Sequence, residues 1–116
     1  MNDNNKFLGE FEQILLLAIL RLTGNAYGST IRQLLAKQIN RDVTIGALYT
    51  TLKRLEKKGL LTSKIGEASV ERGGRAKKYF DVTANGQQAL KRNKAALVTM
   101  WDGLVLSTTH VRGKHR

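Results

Sequence analysis

The sequence contains no cysteine, so disulfide bonds, thiolate chemistry and cysteine-ligated metal sites are all excluded. It also lacks a long apolar run. The longest, Ile14 to Leu20, has seven residues, whereas a membrane-spanning helix needs roughly 20. The N-terminus is polar and does not show the basic-then-apolar order of a signal peptide. These absences predict a soluble, cytoplasmic protein that does not enter a membrane.

Residues suited to catalysis or metal binding are equally scarce. Both histidines, His110 and His115, lie in the basic C-terminal segment, away from any carboxylate or thiolate. Serine and threonine therefore have no basic partner in the folded part, and two histidines alone do not form a credible metal site. Gly66, Gly73 and Gly74 match no phosphate-binding pattern and are expected in turns. We predict no enzyme activity, no metal and no cofactor.

Acidic residues are few, and the resulting imbalance of charge is local. Twenty Lys and Arg against nine Asp and Glu give a net charge of +11 in 116 residues. Between Lys53 and Lys78 nine basic and three acidic residues leave a surplus of six, over half of the net charge. Such a patch predicts an anionic partner, most often nucleic acid and sometimes a membrane surface. The length indicates one domain with a modest core.

The order of predicted elements defines the fold. Apolar residues at spacings of three and four predict helices over 9–23, 29–39 and 43–59. Two short strands follow, over 60–66 and 77–83, with a polar, glycine-containing loop between them. Three helices and then a hairpin with a basic tip are typical of a winged helix-turn-helix, so we predict a mainly α fold with a small β-hairpin.

A last predicted helix follows the hairpin, with Thr83 as its cap. The first helix is apolar nearly all round, which indicates burial on more than one side. In a chain this short, a second subunit is the expected cover of that surface. The predicted organisation is a flexible N-terminus (1–8), a DNA-binding domain (9–83), a dimerisation helix (84–106) and a basic tail (107–116).

The third helix, within VTIGALYTTLKRLEKKGLL, carries the sharpest signal. At 100° per residue its apolar side gathers Ile45, Leu48, Leu52 and Leu55. The opposite side carries Gly46, Ala47, Thr50, Lys53, Arg54 and Lys57. Small residues near the start allow close approach to a duplex, while hydroxyls and cations meet base edges and phosphates. A merely solvated charged face is the alternative, but the basic RGGRAKK segment of the hairpin favours DNA.

The sequence also resembles a known family. The matching segments are EFEQILLLAIL, AYGSTI, the G-x-L-Y-x-x-L-x-R-L-E-x-x-G-L pattern from Gly46 to Leu60, RAKKYFDVT and TANGQQAL. Together they span about Gly9 to Leu90, and the third is the most specific. The chain is similar to the PadR-like transcriptional regulators, winged-helix repressors of bacteria. It departs from their pattern at Thr50, where a proline commonly follows the tyrosine, and its single short last helix resembles that of the smaller members.

The resemblance implies a homodimer that places a recognition helix in the major groove and represses a promoter with two half-sites. Tyr49 matches the family's helix tyrosine, and Lys77, Lys78 and Tyr79 match its basic-aromatic wing strand. We expect the third helix to read or follow the groove and the wing to grip the backbone or the minor groove. The predicted DNA-binding residues are Thr44, Tyr49, Thr50, Lys53, Arg54, Lys57, Arg72, Arg75, Lys77 and Lys78.

Trp101, the only tryptophan, leaves two interpretations open. It lies at a core-like step of the last helix, so packing in a dimer interface explains it. Small relatives also bind aromatic compounds between subunits, so paired tryptophans could stack on a flat small-molecule effector. The residues predicted to line that ligand site are Leu97, Met100, Trp101 and Leu104.

An interaction module of another class is the second alternative. The basic face could dock on an acidic protein or an anionic membrane without specific DNA binding. A membrane-binding helix would carry its cations and its apolar residues on one exposed amphipathic surface. Here the apolar sides of the third helix and of the hairpin are needed for the core. The sequence therefore favours double-stranded DNA as the partner over a membrane.

Overall fold

The computed structural model of the chain describes residues 7–66 and 76–107. Within these ranges three helices precede an antiparallel two-stranded hairpin and a fourth helix, which confirms the predicted winged helix-turn-helix architecture. The elements are α1 (Glu10–Arg21), α2 (Gly28–Ile39), α3 (Ile45–Lys57), β1 (Leu61–Ile65), β2 (Lys78–Val82) and α4 (Ala84–Trp101).

The first helix forms the centre of the core, since it packs against α2, α3, α4 and β2. Leu15, Leu16 and Ile19 of α1 are buried completely or almost so. Each such side chain stabilises the fold by about 1.5–3 kcal/mol relative to exposure. Leu17 and Leu20 remain 47% and 37% exposed. The apolar surface of α1 is therefore larger than the described residues of the chain cover.

The segment before α1 is held by α4. Leu8, which the sequence assigns to the flexible N-terminus, is buried in the core. Its amide donates a 3.0 Å hydrogen bond to Oδ1 of Asn93, whose Nδ2 donates to the Ala89 carbonyl at 2.7 Å. Asn93 itself is buried, so these two bonds satisfy an amide that would otherwise destabilise the core. The chain is thus ordered one residue before the expected boundary.

Helices α2 and α3 begin with hydroxyl-mediated caps. The sequence predicts that α2 starts at Ser29, but the helix begins at Gly28, and the Thr30 hydroxyl accepts a hydrogen bond from the Tyr27 amide at 3.0 Å. In α3 the Thr44 hydroxyl accepts the Ala47 amide at 3.1 Å. Each bond satisfies an amide that lacks a partner within the helix. Helix α3 ends two residues before Gly59, which adopts a positive φ in the turn.

Three of the four apolar residues predicted to face the core from α3 do so. Leu48, Leu52 and Leu55 are buried, but Ile45 is 50% exposed, so its assignment to the core is wrong. Ile45 is the first residue of the helix and extends past the edge of the core. Thr51 is buried instead, and its hydroxyl donates to the Ala47 carbonyl at 3.0 Å. That bond allows a polar side chain to enter the apolar stripe.

The hairpin pairs Leu61 with Val82 and Ser63 with Phe80 in antiparallel register. Phe80 of β2 and Leu61 of β1 are buried, whereas Asp81 is exposed, so neighbouring residues of the second strand face the core and the solvent in turn. The Phe80 amide donates to the Ala26 carbonyl at 2.8 Å. This bond fastens the base of the hairpin to the turn between α1 and α2.

The fourth helix begins as predicted, with the Thr83 hydroxyl accepting the Gly86 amide at 3.0 Å. It ends at Trp101 rather than at the predicted Leu106. Gly103 adopts a φ of +79°, a left-handed conformation that glycine reaches without steric penalty and that terminates helices. Apolar spacing continues through Leu104, but the backbone does not continue as a helix.

Candidate nucleic-acid interface

The outward face of α3 is exposed as the sequence predicts. Thr50, Lys53 and Lys57 are exposed, as are the small residues Gly46 and Ala47. Among the described residues, neither Lys53 nor Lys57 forms an ion pair. The face therefore offers one hydroxyl group and two lysines beside a smooth first turn. Thr44, predicted to contact DNA, lies at the start of this face, where its side-chain oxygen caps the helix.

Tyr49 lies where α3 meets the start of α2. Its side chain is 40% exposed, and its hydroxyl group lies beside Gly28, where an added Cβ would overlap it. A cleft of about 440 Å³ opens here. It is lined by Tyr27, Gly28, Ser29, Tyr49, Ala76, Lys77 and Lys78. Tyr49 thus lies between the outward face of α3 and the cations at the base of the wing.

Aromatic rings support the base of the wing. The Nζ atom of Lys77 lies 3.8 Å from the centroid of the Tyr27 ring. Tyr27 and Tyr79 meet edge to face with their centroids 5.3 Å apart. A cation over an aromatic face is attracted by the ring quadrupole, so Lys77 is held close to the cleft. Lys78 is exposed. The other two predicted wing cations, Arg72 and Arg75, lie outside the described residues.

Arg54 and Lys58 at the C-terminal end of α3 both bind one acidic residue of α1. Arg54 Nε and Lys58 Nζ lie 3.1 Å and 3.0 Å from Oε2 of Glu12. The Gly9 amide donates to the other oxygen at 2.9 Å. Burial of the carboxyl opposes its ionisation, but these hydrogen bonds outweigh it, so the pKa of Glu12 lies below its ordinary value of 4.5.

Glu12 lies on α1 and binds the C-terminal end of α3, and it is not among the residues predicted from the sequence. It lies three, four and seven residues before Leu15, Leu16 and Ile19, at the spacing of the buried stripe of α1. An acidic side chain at such a position needs cationic or hydrogen-bonding partners, because burying an unpaired charge is costly. This spacing could therefore have identified Glu12 from the sequence.

A second, apolar surface lies between α1 and α4. A groove of about 820 Å³ there is lined largely by aliphatic side chains and by Trp101. Of the four residues predicted to bind a ligand, the groove contains Leu97 and Trp101, each 53% exposed. Met100 and Leu104 are exposed but do not line it. The lining also includes Leu17, Leu20, Leu90, Val98, Lys91 and Lys94.

Residues 7–66 and 76–107 contain no group of three or more His, Cys, Asp or Glu side chains that could hold a metal ion. No helix in these ranges is long and apolar enough to cross a membrane.

The fold and the basic face together define a winged helix-turn-helix protein. Comparison with known families and structures identifies the family. The model of the transcriptional regulator PadR-like family matches residues 16–92, about two thirds of the chain. None of the curated proteins compared with the chain shows significant similarity to it.

Several solved structures share this fold. A PadR-like transcription factor from Bacteroides fragilis is 30% identical with a TM-score of 0.65, over 78% of this chain and 82% of that one. A PadR family regulator from Eggerthella lenta is 28% identical, with a TM-score of 0.59 over 78% and 80% of the two chains. One from Clostridium difficile is 26% identical, with a TM-score of 0.58 over 78% and 90%.

The chain therefore belongs to the PadR-like family of transcriptional regulators. Members of this family regulate transcription through DNA and are not enzymes. The chain is therefore a DNA-binding regulator of transcription.

Proposed function

We propose that the protein is a dimeric repressor that recognises a palindromic operator in double-stranded DNA. One observation carries the proposal. Tyr49 lies on the same helical row as Lys53 and Lys57, and it shares a cleft with Lys77 and Lys78. A ridge on α3 and the base of the wing thus form one basic surface with no ion pairs among the described residues at these lysines.

The two parts of this surface have different roles in the proposal. Helix α3 enters the major groove, where Thr50 and Arg54 are the candidates for contact with base edges and Lys53 and Lys57 neutralise phosphates. Tyr49 donates its hydroxyl to a phosphate at the edge of the groove. The wing holds the backbone or the adjacent minor groove through Lys77 and Lys78, and Arg72 and Arg75, which lie outside the described residues, are proposed to join them. Thr44 lies at the start of α3.

Dimerisation is proposed from the apolar groove between α1 and α4. Leu17, Leu20, Leu97 and Trp101 expose apolar surface there, and all residues of α4 from Leu97 to Trp101 are exposed. Contiguous exposed apolar surface of this kind is typical of protein interfaces. A two-fold axis through this surface would set two recognition helices about 34 Å apart, one turn of duplex DNA. A cytoplasmic location goes with a chromosomal operator.

Selection of DNA tests this function directly. The purified protein would be incubated with a random-sequence duplex library, and the bound fraction sequenced after several rounds. We expect an inverted repeat whose half-sites are one helical turn apart. Enrichment of a single half-site would contradict the dimer, and no enrichment at all would contradict sequence-specific binding and favour a non-specific interaction module.

Response to an aromatic effector is a second candidate function, because the half-exposed indole of Trp101 borders the groove. In this proposal a planar compound stacks on Trp101 and contacts Leu97, and it thereby changes the affinity for DNA. Since Trp101 is the only tryptophan, its fluorescence reports the site directly. Titration with a planar cationic dye should quench or shift the emission. Unchanged emission up to high dye concentration would exclude this site.

A further inference from the structure

The ion cluster at Glu12 joins the first helix to the recognition helix. Both Arg54 and Lys58 approach the same carboxylate oxygen, within 3.1 Å and 3.0 Å, while the other oxygen accepts the Gly9 amide. The Glu12 side chain is only 9% exposed, whereas Arg54 and Lys58 remain 50% and 28% exposed. A carboxylate fixed within the fold therefore holds two cations that reach the surface of α3.

The remaining lysines of the outward face are in a different state. Lys53 and Lys57 are exposed and have no ion pair among the described residues. Lys57 and Lys58 are adjacent in sequence, yet only Lys58 is bound to a carboxylate. The recognition helix thus carries two kinds of cation, two that can move to a phosphate and two that are held by one shared carboxylate.

The distinction matters because phosphate contacts and base contacts contribute differently. Each cation that neutralises a phosphate strengthens binding to every sequence, and this term supplies nearly all of the non-specific affinity. Specificity depends on the ratio of operator affinity to non-specific affinity, so a cation free to follow any backbone lowers it. Glu12 binds the Nε atom of Arg54, which leaves the two terminal guanidinium nitrogens available. Arg54 can therefore still donate hydrogen bonds to a base edge.

We propose that Glu12 is a specificity-determining residue that keeps Arg54 and Lys58 away from DNA phosphates and thereby limits binding to non-operator DNA. The proposal rests on the proposed DNA-binding function. Glu12 contacts no DNA itself and acts as a positioning residue through two cations. Its carboxylate stays ionised at neutral pH, since the hydrogen bonds from α3 and Gly9 lower its pKa.

The test compares Glu12→Gln with Glu10→Gln. Glu10 lies on the same helix, and its replacement changes the net charge equally, but its 3.0 Å ion pair is with Arg41 in the turn before α3. Arg41 also packs over the Phe11 ring, 5.0 Å from its centroid, and so stays in place. Binding to a duplex without the operator would be measured against salt concentration for both variants and the natural protein, with thermal unfolding as a check on folding.

Released cations should steepen the log–log salt slope of Glu12→Gln by about 0.9 for each phosphate newly contacted. Non-operator affinity should rise several-fold, and the ratio of operator to non-operator affinity should fall. Glu10→Gln should stay near the natural protein. A purely structural role for Glu12 would weaken binding to both DNAs without steepening the slope. Equal slopes for the two variants would overturn the proposal.

Two substitutions in the natural background keep the test decisive if Glu12→Gln is poorly folded. Lys57→Gln should reduce the slope by about 0.9, whereas Lys58→Gln should leave it unchanged, because the Glu12 carboxylate holds Lys58 away from the phosphates. Equal reductions by both would contradict the proposal. Failure of the proposed function is distinguishable, because the natural protein would then enrich no sequence from the random library, whatever its salt slope on a duplex.

Discussion

The hydroxyl group of Tyr49 occupies the space in which a side chain at Gly28 would lie. Gly28→Ala would therefore displace the Tyr49 ring from the cleft that it shares with Lys77 and Lys78. We expect operator affinity to fall about tenfold or more, because a hydrogen bond to a charged group contributes about 1.5–3 kcal/mol. Stability should change little, since alanine at the start of a helix partly offsets the steric strain. Titration of labelled operator and thermal unfolding would measure the two effects.

A double-mutant cycle controls this prediction. Tyr49→Phe removes the oxygen that the new methyl group would overlap, so the double variant should bind DNA about as well as Tyr49→Phe alone. If the double variant lost as much binding free energy as the two single variants together, Gly28 would act independently of Tyr49.

Glu12 should make stability depend on pH in acid. Its pKa is lower in the folded protein than its ordinary value of 4.5, so the ionised carboxylate stabilises the fold at higher pH. This contribution is lost as the pH falls below 4.5 through the lowered pKa. Glu12→Gln should cost about 1–3 kcal/mol of unfolding free energy at neutral pH. Urea denaturation at neutral and acidic pH would show whether the difference narrows in acid, as expected.

Glu10→Gln is the matched control for that experiment as well. Its ion pair with Arg41 is exposed, with 77% of the Glu10 side chain accessible. Such pairs contribute about 0–1 kcal/mol, so little change is expected at either pH. A Glu12→Gln deficit that is equally large in acid and at neutral pH would indicate lost packing rather than lost charge.

Replacement of Gly46 by alanine should change stability and DNA binding in opposite directions. Among the described residues, no atom outside the adjacent backbone of α3 lies within 4 Å of the position that a Cβ would take there, so alanine fits. Gly46→Ala should raise the unfolding free energy by up to about 1 kcal/mol through helix propensity. It should nevertheless weaken operator binding, because the methyl group lies on the face proposed to press into the groove. Calorimetry and DNA titration on one preparation would test both signs. Unchanged affinity would place this face outside the interface.

Thr50 and Lys78 should affect binding differently. Lys78→Gln should lower the salt slope by about 0.9 and weaken all sequences alike, because a phosphate contact carries no sequence information. Thr50→Ala should change the order of preference among operator variants, since a base contact discriminates by about 1–3 kcal/mol. Competition titrations with single-base operator variants would reveal this. If both substitutions weakened every duplex equally, the proposed division between helix and wing would be wrong.

The groove between α1 and α4 should determine the assembly state. Leu97→Glu places a charge on apolar surface that the proposed dimer buries, so the protein should become monomeric and lose affinity for paired half-sites. Ile65→Glu is the control, because Ile65 is 66% exposed on β1 and does not line the groove. Light scattering after size-exclusion chromatography would give the masses. If Leu97→Glu and Ile65→Glu were both dimeric, or both monomeric, the assignment of the interface would be refuted.

Local patterns in the sequence predict most of the fold. The periodicity of Leu48, Leu52 and Leu55 identifies the buried side of α3, and Thr83 marks the start of α4, because spacing and capping are properties of neighbouring residues. Ile45 obeys the same periodicity yet lies beyond the edge of the core. Whether a residue at the end of an element is covered depends on packing between elements, which periodicity does not contain.

The candidate site is less completely predictable for the same reason. The exposed lysines of α3 follow from the helical wheel alone. The cluster at Glu12 joins residues 42 and 46 positions apart, and only the crossing of α1 and α3 brings them together. The cleft at Tyr49 likewise depends on how the wing packs against α2. Contacts between distant segments are set by tertiary structure, and a single sequence shows them only as isolated charged or aromatic residues.

Helix α1 carries Glu12 on one side and Leu17 on another, five positions later. At 1.5 Å per residue the two lie about 7.5 Å apart along a rigid rod. In the proposed dimer, a rotation of α1 that improves the contact between the subunits therefore also rotates Glu12, which binds Arg54 and Lys58, by the same angle. In that dimer the same rigid helix would link the contact between subunits to the position of Arg54 and Lys58, and a ligand in the groove that rotated α1 would move both cations.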